Sequence, residues 1–248
     1  MLKLITVNIE MSKHDNRVLA LLDREQPDVV CLQEAPEAFS QKLQERGYQT
    51  TFAPMFIRDV HGEKAPVGVM LASNLPHDCR THYYHQGASS IVEHDANNTE
   101  KTASFAYLIS TINAPEGTFT IATTHVMDTD DGHKDDFQIL GITNLLNALK
   151  QEASHIICGD FNIPRGYNTL YNDVTQSYID EIPQTYKSSL DRNLHRLGNK
   201  KIVQPIFDEY MVDYIFSQPP YRASDVRLEF DISDHAAVIA HISKTRTE

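Results

Sequence analysis

The chain has 248 residues, 41% of them hydrophobic, and a formal net charge of -12. That length suits one large α/β domain with a substantial core, and the acidity argues against a protein that coats nucleic acid regardless of sequence, since such proteins draw most of their affinity from basic side chains on phosphates. The three cysteines, Cys31, Cys79 and Cys158, form no CxxC pair, which points to reduced thiols rather than a disulfide framework. The first residues reach the polar Asn8 and Glu10 too soon for a signal peptide, and no stretch approaches transmembrane length. A cytoplasmic protein without stable membrane insertion is expected, with one domain over residues 1–248.

Leu2 to Ile9 is an apolar, β-branched run with little alternation, as in a strand covered on both faces. Ser12 offers an N-cap with Asp15 three residues later, and Val18, Leu19 and Leu22 follow at helical spacing. Asp28 to Gln33 is the next strand. Pro36 and Glu37 open a helix with Phe39 and Leu43 on one face, closed by Gly47. Val67 to Leu71, Phe105 to Ile112 and Thr118 to Thr124 read as strands, the last entered through the turn Asn113-Ala-Pro-Glu-Gly. The clearest helix runs from about Lys134 to Glu152, with Ile142, Leu145, Leu146 and Leu149 as its apolar stripe. His155 to Cys158 is a short buried strand. After a long loop region, Tyr210 to Phe216, Val226 to Phe230 and Ala236 to Ile242 complete the strands. The order suggests a mixed α/β protein.

The strand exits carry the chemistry. Asn8, Glu34, His125, and Asp160 with Asn162 each follow an apolar strand, where ligand sites form in α/β sheets. Asp234-His235 instead precedes a strand, and reaches the same rim if that strand runs antiparallel to the others. Such a set suits phosphate-ester hydrolysis. A hard divalent cation takes oxygen ligands and neutralises phosphoryl charge, one carboxylate activates water, and a histidine protonates or polarises oxygen. HExxH, a GxSxG elbow and a P-loop are all absent.

Thr6-Val-Asn8, Val30-Cys-Leu-Gln-Glu34, Thr124-His125, Gly159-Asp-Phe-Asn162, Val212-Asp-Tyr-Ile215 and Ser233-Asp-His235, in this order, resemble the endonuclease/exonuclease/phosphatase superfamily. The resemblance runs from about Leu2 to Ile242. It implies a four-layer α-β-β-α sandwich of two mixed sheets flanked by helices. It also implies a Mg²⁺-dependent phosphoesterase, with Mn²⁺ as a substitute, in which water attacks in line. By the same resemblance Glu34 is the principal metal ligand, with Asn8 helping to hold the metal and Asp234 completing its surroundings. Asp160 is the base, Asn162 positions phosphate or water, His235 contacts phosphate and is oriented by Asp213, and His125 occupies a position that is histidine or tyrosine in the family.

Each motif alone has an ordinary reading as a turn, cap or strand-end hydrogen-bonder; the combination favours the site. His82-Tyr-Tyr-His85 lacks a ligand framework and reads as surface, and Asp128-Thr-Asp-Asp131 as a solvated loop. Tyr186 to Lys201 is a basic segment in an acidic chain. Arg192, His195 and Arg196 in it are candidates for contacting substrate phosphate, with a solvated loop as the equal alternative. The substrate is expected to be nucleic acid or a small phosphorylated molecule, and the protein a monomer. The rivals are a non-catalytic module of the same fold that binds a phosphorylated ligand, and a zinc hydrolase built on histidines.

Overall fold

The structure, a computed structural model, describes residues 1–129, 131–195 and 208–245. The first strand, β1 (Leu2–Asn8), buries both faces as its composition requires. Leu2 and Leu4 point into the core between two sheets, while Ile5 and Val7 point to an outer cluster completed by Val18, Leu21 and Leu22 of α1 (Asp15–Glu25). The next strand, β2 (Val29–Pro36), divides in the same way: Val29 and Cys31 face inward, Val30 and Leu32 outward toward α1 and α2 (Phe39–Gln44). Each such buried aliphatic contributes roughly 1.5–3 kcal/mol.

The remaining elements follow as β3 (Gln49–Val60), β4 (Glu63–Ser73), β5 (His77–His85), the short α3 (Thr99–Thr102), β6 (Phe105–Ala114) and β7 (Gly117–His125). Then come α4 (Asp136–Leu149), β8 (Ile156–Asp160), α5 (Leu170–Thr175), β9 (Ile179–Asp180), β10 (Asp213–Ser217), β11 (Tyr221–Glu229) and β12 (Ala237–Lys244). They build two six-stranded sheets, in the orders β11-β12-β1-β2-β4-β3 and β5-β6-β7-β8-β10-β9. Each sheet is mixed, with one parallel pair: β1 with β2, and β7 with β8. The sheets pack face to face with helices outside, the α/β sandwich expected.

Three strands were not anticipated, β3, β5 and the two-residue β9, and all lie on sheet edges. β3 carries Pro54 beside a bulge at Met55, a residue sheet interiors exclude. β5 is polar, as an edge facing solvent is. Helix starts also move. Ser12 is not the cap of α1, because Glu10, Met11 and Ser12 form a turn with φ of 44°, 55° and 72°, and the helix begins behind His14. Pro36 stays in β2 opposite Val67, so α2 opens later than its proline suggested. α4 starts where Asp135 caps it, its carboxylate accepting the Gln138 N–H at 2.7 Å.

Candidate functional site

The site grows from the ends of the two parallel pairs, which face each other across the sandwich. In the second sheet, register places His125 of β7 beside Asp160 of β8, and Asp160 beside Asp213 of β10, in one row. In the first sheet Asn8 closes β1, pointing inward like Leu2, Leu4 and Thr6 before it. β12 runs antiparallel to β1, so Asp234 and His235, at its start, arrive at the end of β1. The antiparallel condition read from the sequence is met.

Local backbone makes these placements. Continuing the alternation of β2 would send Glu34 outward with Val30 and Leu32. A bulge between Leu32 and Ala35 and a left-handed φ of 48° at Glu34 turn it to the rim instead, within 3.4 Å of the Asn8 amide. Gly159 has φ of 135°, and a Cβ there would lie 2.1 Å from the Thr124 carbonyl oxygen, so glycine is required beside Asp160. Asn162 adopts φ of 51°, which asparagine tolerates better than most residues.

Asp160 is the hub. Only 1% exposed, it accepts the Asn162 backbone N–H on Oδ1 at 3.0 Å and the Asn8 amide on Oδ2 at 3.1 Å. His125 Nε2 lies 3.6 Å and His235 Nδ1 3.8 Å from Oδ2. Burial raises its pKa to about 6, partly opposed by His235, while neighbouring Asp213 adds to the rise. His235 donates from Nδ1 to Asp213 Oδ2 at 2.8 Å, which leaves Nε2 free to face a ligand. Burial works against the charged imidazolium, but the Asp213 and Asp160 carboxylates outweigh it and leave the pKa of His235 well raised.

The Asn162 amide donates to the Val126 carbonyl at 2.9 Å and lies 3.3 Å from His125 Nε2. Nδ1 of His125 is buried without a hydrogen-bond partner among the described residues. Asn8 turns its nitrogen, not its oxygen, toward Glu34 and Asp160; its oxygen accepts the Glu10 N–H at 3.1 Å. Its role in the geometry is to bridge.

Among the described residues, two groups of side chains could hold a metal ion: Asp160, Asp213 and His235, and His195, Asp234 and His235, each set with ligand atoms within 4.8 Å of one another. Glu34 is in neither set. Asp234, 6% exposed, accepts from the Ser233 hydroxyl at 3.1 Å, and burial, opposed by His235 and aided by Glu10 and Glu34, raises its pKa to about 6.

Several contributors escaped the sequence. Glu10 joins the acidic group around Asp234 only because the left-handed turn after β1 folds it back. Gln33, buried, donates to the Thr6 and Thr123 hydroxyls at 3.2 and 3.0 Å and so ties the two sheets together beneath the site. Ser189 accepts the Val212 and Asp213 N–H groups on its hydroxyl at 3.1 and 3.2 Å, and its carbonyl accepts the Ala236 N–H at 2.7 Å. Leu190 bridges to His235, and the Asp191 N–H reaches the Asp234 carbonyl at 2.8 Å. Residues 189–191 therefore splint Asp213 to Asp234 and His235. Alternating polar residues in a loop gave no periodic signal for this.

Of the basic segment, Arg192 is ion-paired with Asp208, and the His195 ring meets the His235 ring edge-on at 6.1 Å. Arg196, Lys200 and Lys201 lie outside the described residues. His82 stacks on Tyr107 at 5.0 Å, as surface.

The structure can be compared with solved ones. A protein from Beutenbergia cavernae described as endonuclease/exonuclease/phosphatase superposes with TM-score 0.72 at 16% identity, covering 98% of this chain and 71% of that one. The human Nocturnin catalytic domain with bound sulfate gives 0.68 at 22%, with 98% and 93% covered. D. rerio TDP2 complexed with a single-strand DNA product gives 0.66 at 18%, with 98% and 99% covered. At these identities the likeness shows the fold. No curated protein matches the chain at a significant level of sequence similarity. The family profile described as Endonuclease/Exonuclease/phosphatase matches residues 5–235, and the chain belongs to that family.

Proposed function

We propose that the chain is a Mg²⁺-dependent phosphoester hydrolase, one catalytic domain over residues 1–248, in which a water activated by Asp160 attacks phosphorus in line. The observation that carries this reading is the environment of Asp160. Its pKa of about 6 leaves it ionised at neutral pH yet basic enough to take a proton, and Asn8 and the Asn162 N–H fix both oxygens. Beside it, His235 holds a proton on each ring nitrogen. Asp213 secures Nδ1–H, and Nε2–H is available to a phosphoryl or leaving oxygen. Asn162 and His125 complete the phosphate side of the rim.

The donor set fits a hard divalent cation. Asp234 is buried near Glu10 and Glu34 with a serine hydroxyl on it, and its pKa stays raised although His235 opposes the shift, as in an acid group with room for a further cation. Glu34 and Asp234 would hold Mg²⁺ or Mn²⁺, with Asn8 orienting Glu34; His235, committed to Asp213, is better used as an acid than as a ligand. The ion supplies neutralisation of phosphoryl and leaving-group charge. Family membership and the neighbours bound to sulfate and to single-strand DNA support a substrate that is nucleic acid or a small phosphorylated molecule. Among the described residues no helix is long and apolar enough to cross a membrane. We take the three unpaired thiols to favour a cytoplasmic enzyme, and propose that it acts as a monomer.

The test is hydrolysis of bis-p-nitrophenyl phosphate, p-nitrophenyl phosphate and single- and double-stranded DNA with Mg²⁺, repeated with EDTA and with Asp160→Ala. Turnover that needs both metal and Asp160 supports the reading. Silence across the panel in a protein that also fails to bind Mg²⁺ favours the non-catalytic module, and rescue of chelated protein by Zn²⁺ alone favours the zinc hydrolase.

A further inference from the structure

Past Pro36 the first sheet is only two strands wide. β2 ends opposite Val67, while β3 and β4 continue as a hairpin through Phe56–Val67, Arg58–Ala65 and Val60–Glu63. This arm extends beyond the rim at which Glu34 sits. Phe56 and Arg58 share a face of β3, and that face turns toward the second sheet, because Phe56 belongs to the core between the sheets. Arg58 therefore stands on the site side of the arm, its guanidinium 5.3 Å from the Phe56 ring centre.

Arg58 differs from the other arginines. Every other one among the described residues has a carboxylate oxygen within 4.0 Å. Arg58 donates instead to a histidine, Nη2 to His94 Nδ1 at 2.7 Å. Nδ1 must be unprotonated to accept, so Nε2 carries the proton and donates to the Thr99 hydroxyl at 3.3 Å. The Thr99 hydroxyl then retains its own proton to give away, although the Ala96 carbonyl lies 3.5 Å from it. Burial, then the charge on Arg58, depress the pKa of His94, which keeps the ring neutral; Asp128 and Glu34 act in the opposite sense and lie near enough to be felt. The segment that carries His94 is fastened to the arm by Ile57 N–H to Val92 O at 2.8 Å and His94 N–H to Ile57 O at 2.9 Å. A cation with most of its guanidinium fork unspent is thus held by a neutral base and an aromatic ring, next to an acidic metal-binding rim. Balancing it would have needed one carboxylate, in a chain that has 34.

We propose that Arg58, positioned by His94 and Phe56 and assisted by the Thr99 hydroxyl, is a second anion subsite that takes a non-scissile phosphate, so that the substrate carries more than one phosphate group. The inference rests on the phosphoesterase reading above and narrows it. A guanidinium fork suits phosphate through paired N–H donors, and a charge-assisted contact in a half-buried position favours the doubly phosphorylated substrate by about tenfold.

The test compares the p-nitrophenyl ester of thymidine 5′-phosphate with and without a 3′-phosphate, in wild type, Arg58→Met and Arg58→Lys. In wild type the 3′-phosphate lowers KM about tenfold; in Arg58→Met the ratio of the two KM values falls to near one, and Arg58→Lys restores part of it. A merely structural role for Arg58 moves both substrates together and leaves the ratio intact, which overturns the proposal, as does a wild-type ratio near one. A second arm needs no turnover. Inorganic phosphate is titrated into the protein in EDTA while the ring resonances of His94 are followed by NMR. A saturable shift in wild type that is lost in Arg58→Met supports the subsite even if neither ester is cleaved, whereas no shift in wild type overturns it. Cleavage of neither ester would count against the hydrolase reading alone.

Discussion

Two buried or half-buried acidic regions of this molecule have opposite electrostatic fates. At the end of α1, Glu25 is gripped by Lys3 Nζ and Arg227 at 2.7 Å and by Arg24 at 3.2 Å. The Lys3 contact, outweighing the cost of burial and helped by the two arginines, lowers its pKa to about 2. At the site rim Asp160 and Asp234 are raised to about 6, by burial first, with neighbouring carboxylates adding to it. Burial of an acid is common to both regions; Glu25 is answered by a lysine and two arginines, whereas at the rim the opposing charge comes from histidine, chiefly His235, and does not overcome burial. The rim is a place where the fold leaves negative charge under-compensated, and stability is what it gives up there.

The comparison is tested hardest at Asp160. Asp160→Ala is expected to lower kcat about a thousandfold with Mg²⁺ present, while the thermal midpoint in EDTA changes little, because the hydrogen bonds lost from Asn8 and the Asn162 N–H are offset by relief of the burial that raises its pKa. A large drop in midpoint would show that Asp160 is a structural acid like Glu25. Next, His235→Ala is expected to cost about a hundredfold in kcat, and Asp213→Asn somewhat less, since Asp213 acts through the imidazole. If Asp213→Asn left the pH profile of kcat unmoved, the dyad would not be the proton carrier. Third, Mg²⁺ at a hundredfold excess over its Kd should stabilise wild type by about 2.7 kcal/mol, read as a rise in midpoint that Glu34→Gln with Asp234→Asn removes. The same rise in the double variant would locate the metal elsewhere.

The smallest effect is expected at the opposite pole. Glu25→Gln should lower stability by about 1 kcal/mol in urea unfolding without changing kcat. The folded pKa of Glu25, about 2, lies below its ordinary value of 4.5, so its contribution is present above pH 4.5 and fades as pH falls toward 2. A variant whose acid unfolding curve overlays wild type would refute the assigned grip of Lys3 and the arginines.

The rim was legible in the sequence because strand exits are marked by composition: an apolar run, then Glu34, His125 or Asp160. Asn8, His125, Asp160, Asn162, Asp213, Asp234 and His235 come together as the motif order implied. What escaped depends on backbone that polarity does not encode. Glu10 reaches the acidic group through three successive left-handed residues, none of them glycine. The splint at 189–191 uses a serine hydroxyl and backbone groups, which every loop possesses. β3 was hidden by its own proline, and with it Arg58, whose meaning depends on an unpredictable partner, His94. In the basic segment charge was easy to see, but the pairing of Arg192 with Asp208 was not.

The pairing of β1 with β12 sets Leu2 against Ile242 and Thr6 against Val238. During synthesis β1 leaves the ribosome long before β12 and must wait for it before their pairing can form, and Asn8 waits with it. Contacts of such long sequence separation are slow to form and leave an unsatisfied edge in the meantime. The acids at the rim are consequently brought together last: a nascent or truncated chain that stops short of β12 already carries every motif of the rim, Asp234 and His235 included, yet has no assembled rim to present them on. Under the hydrolase reading, appearance of activity during translation would therefore report completion of the sandwich itself.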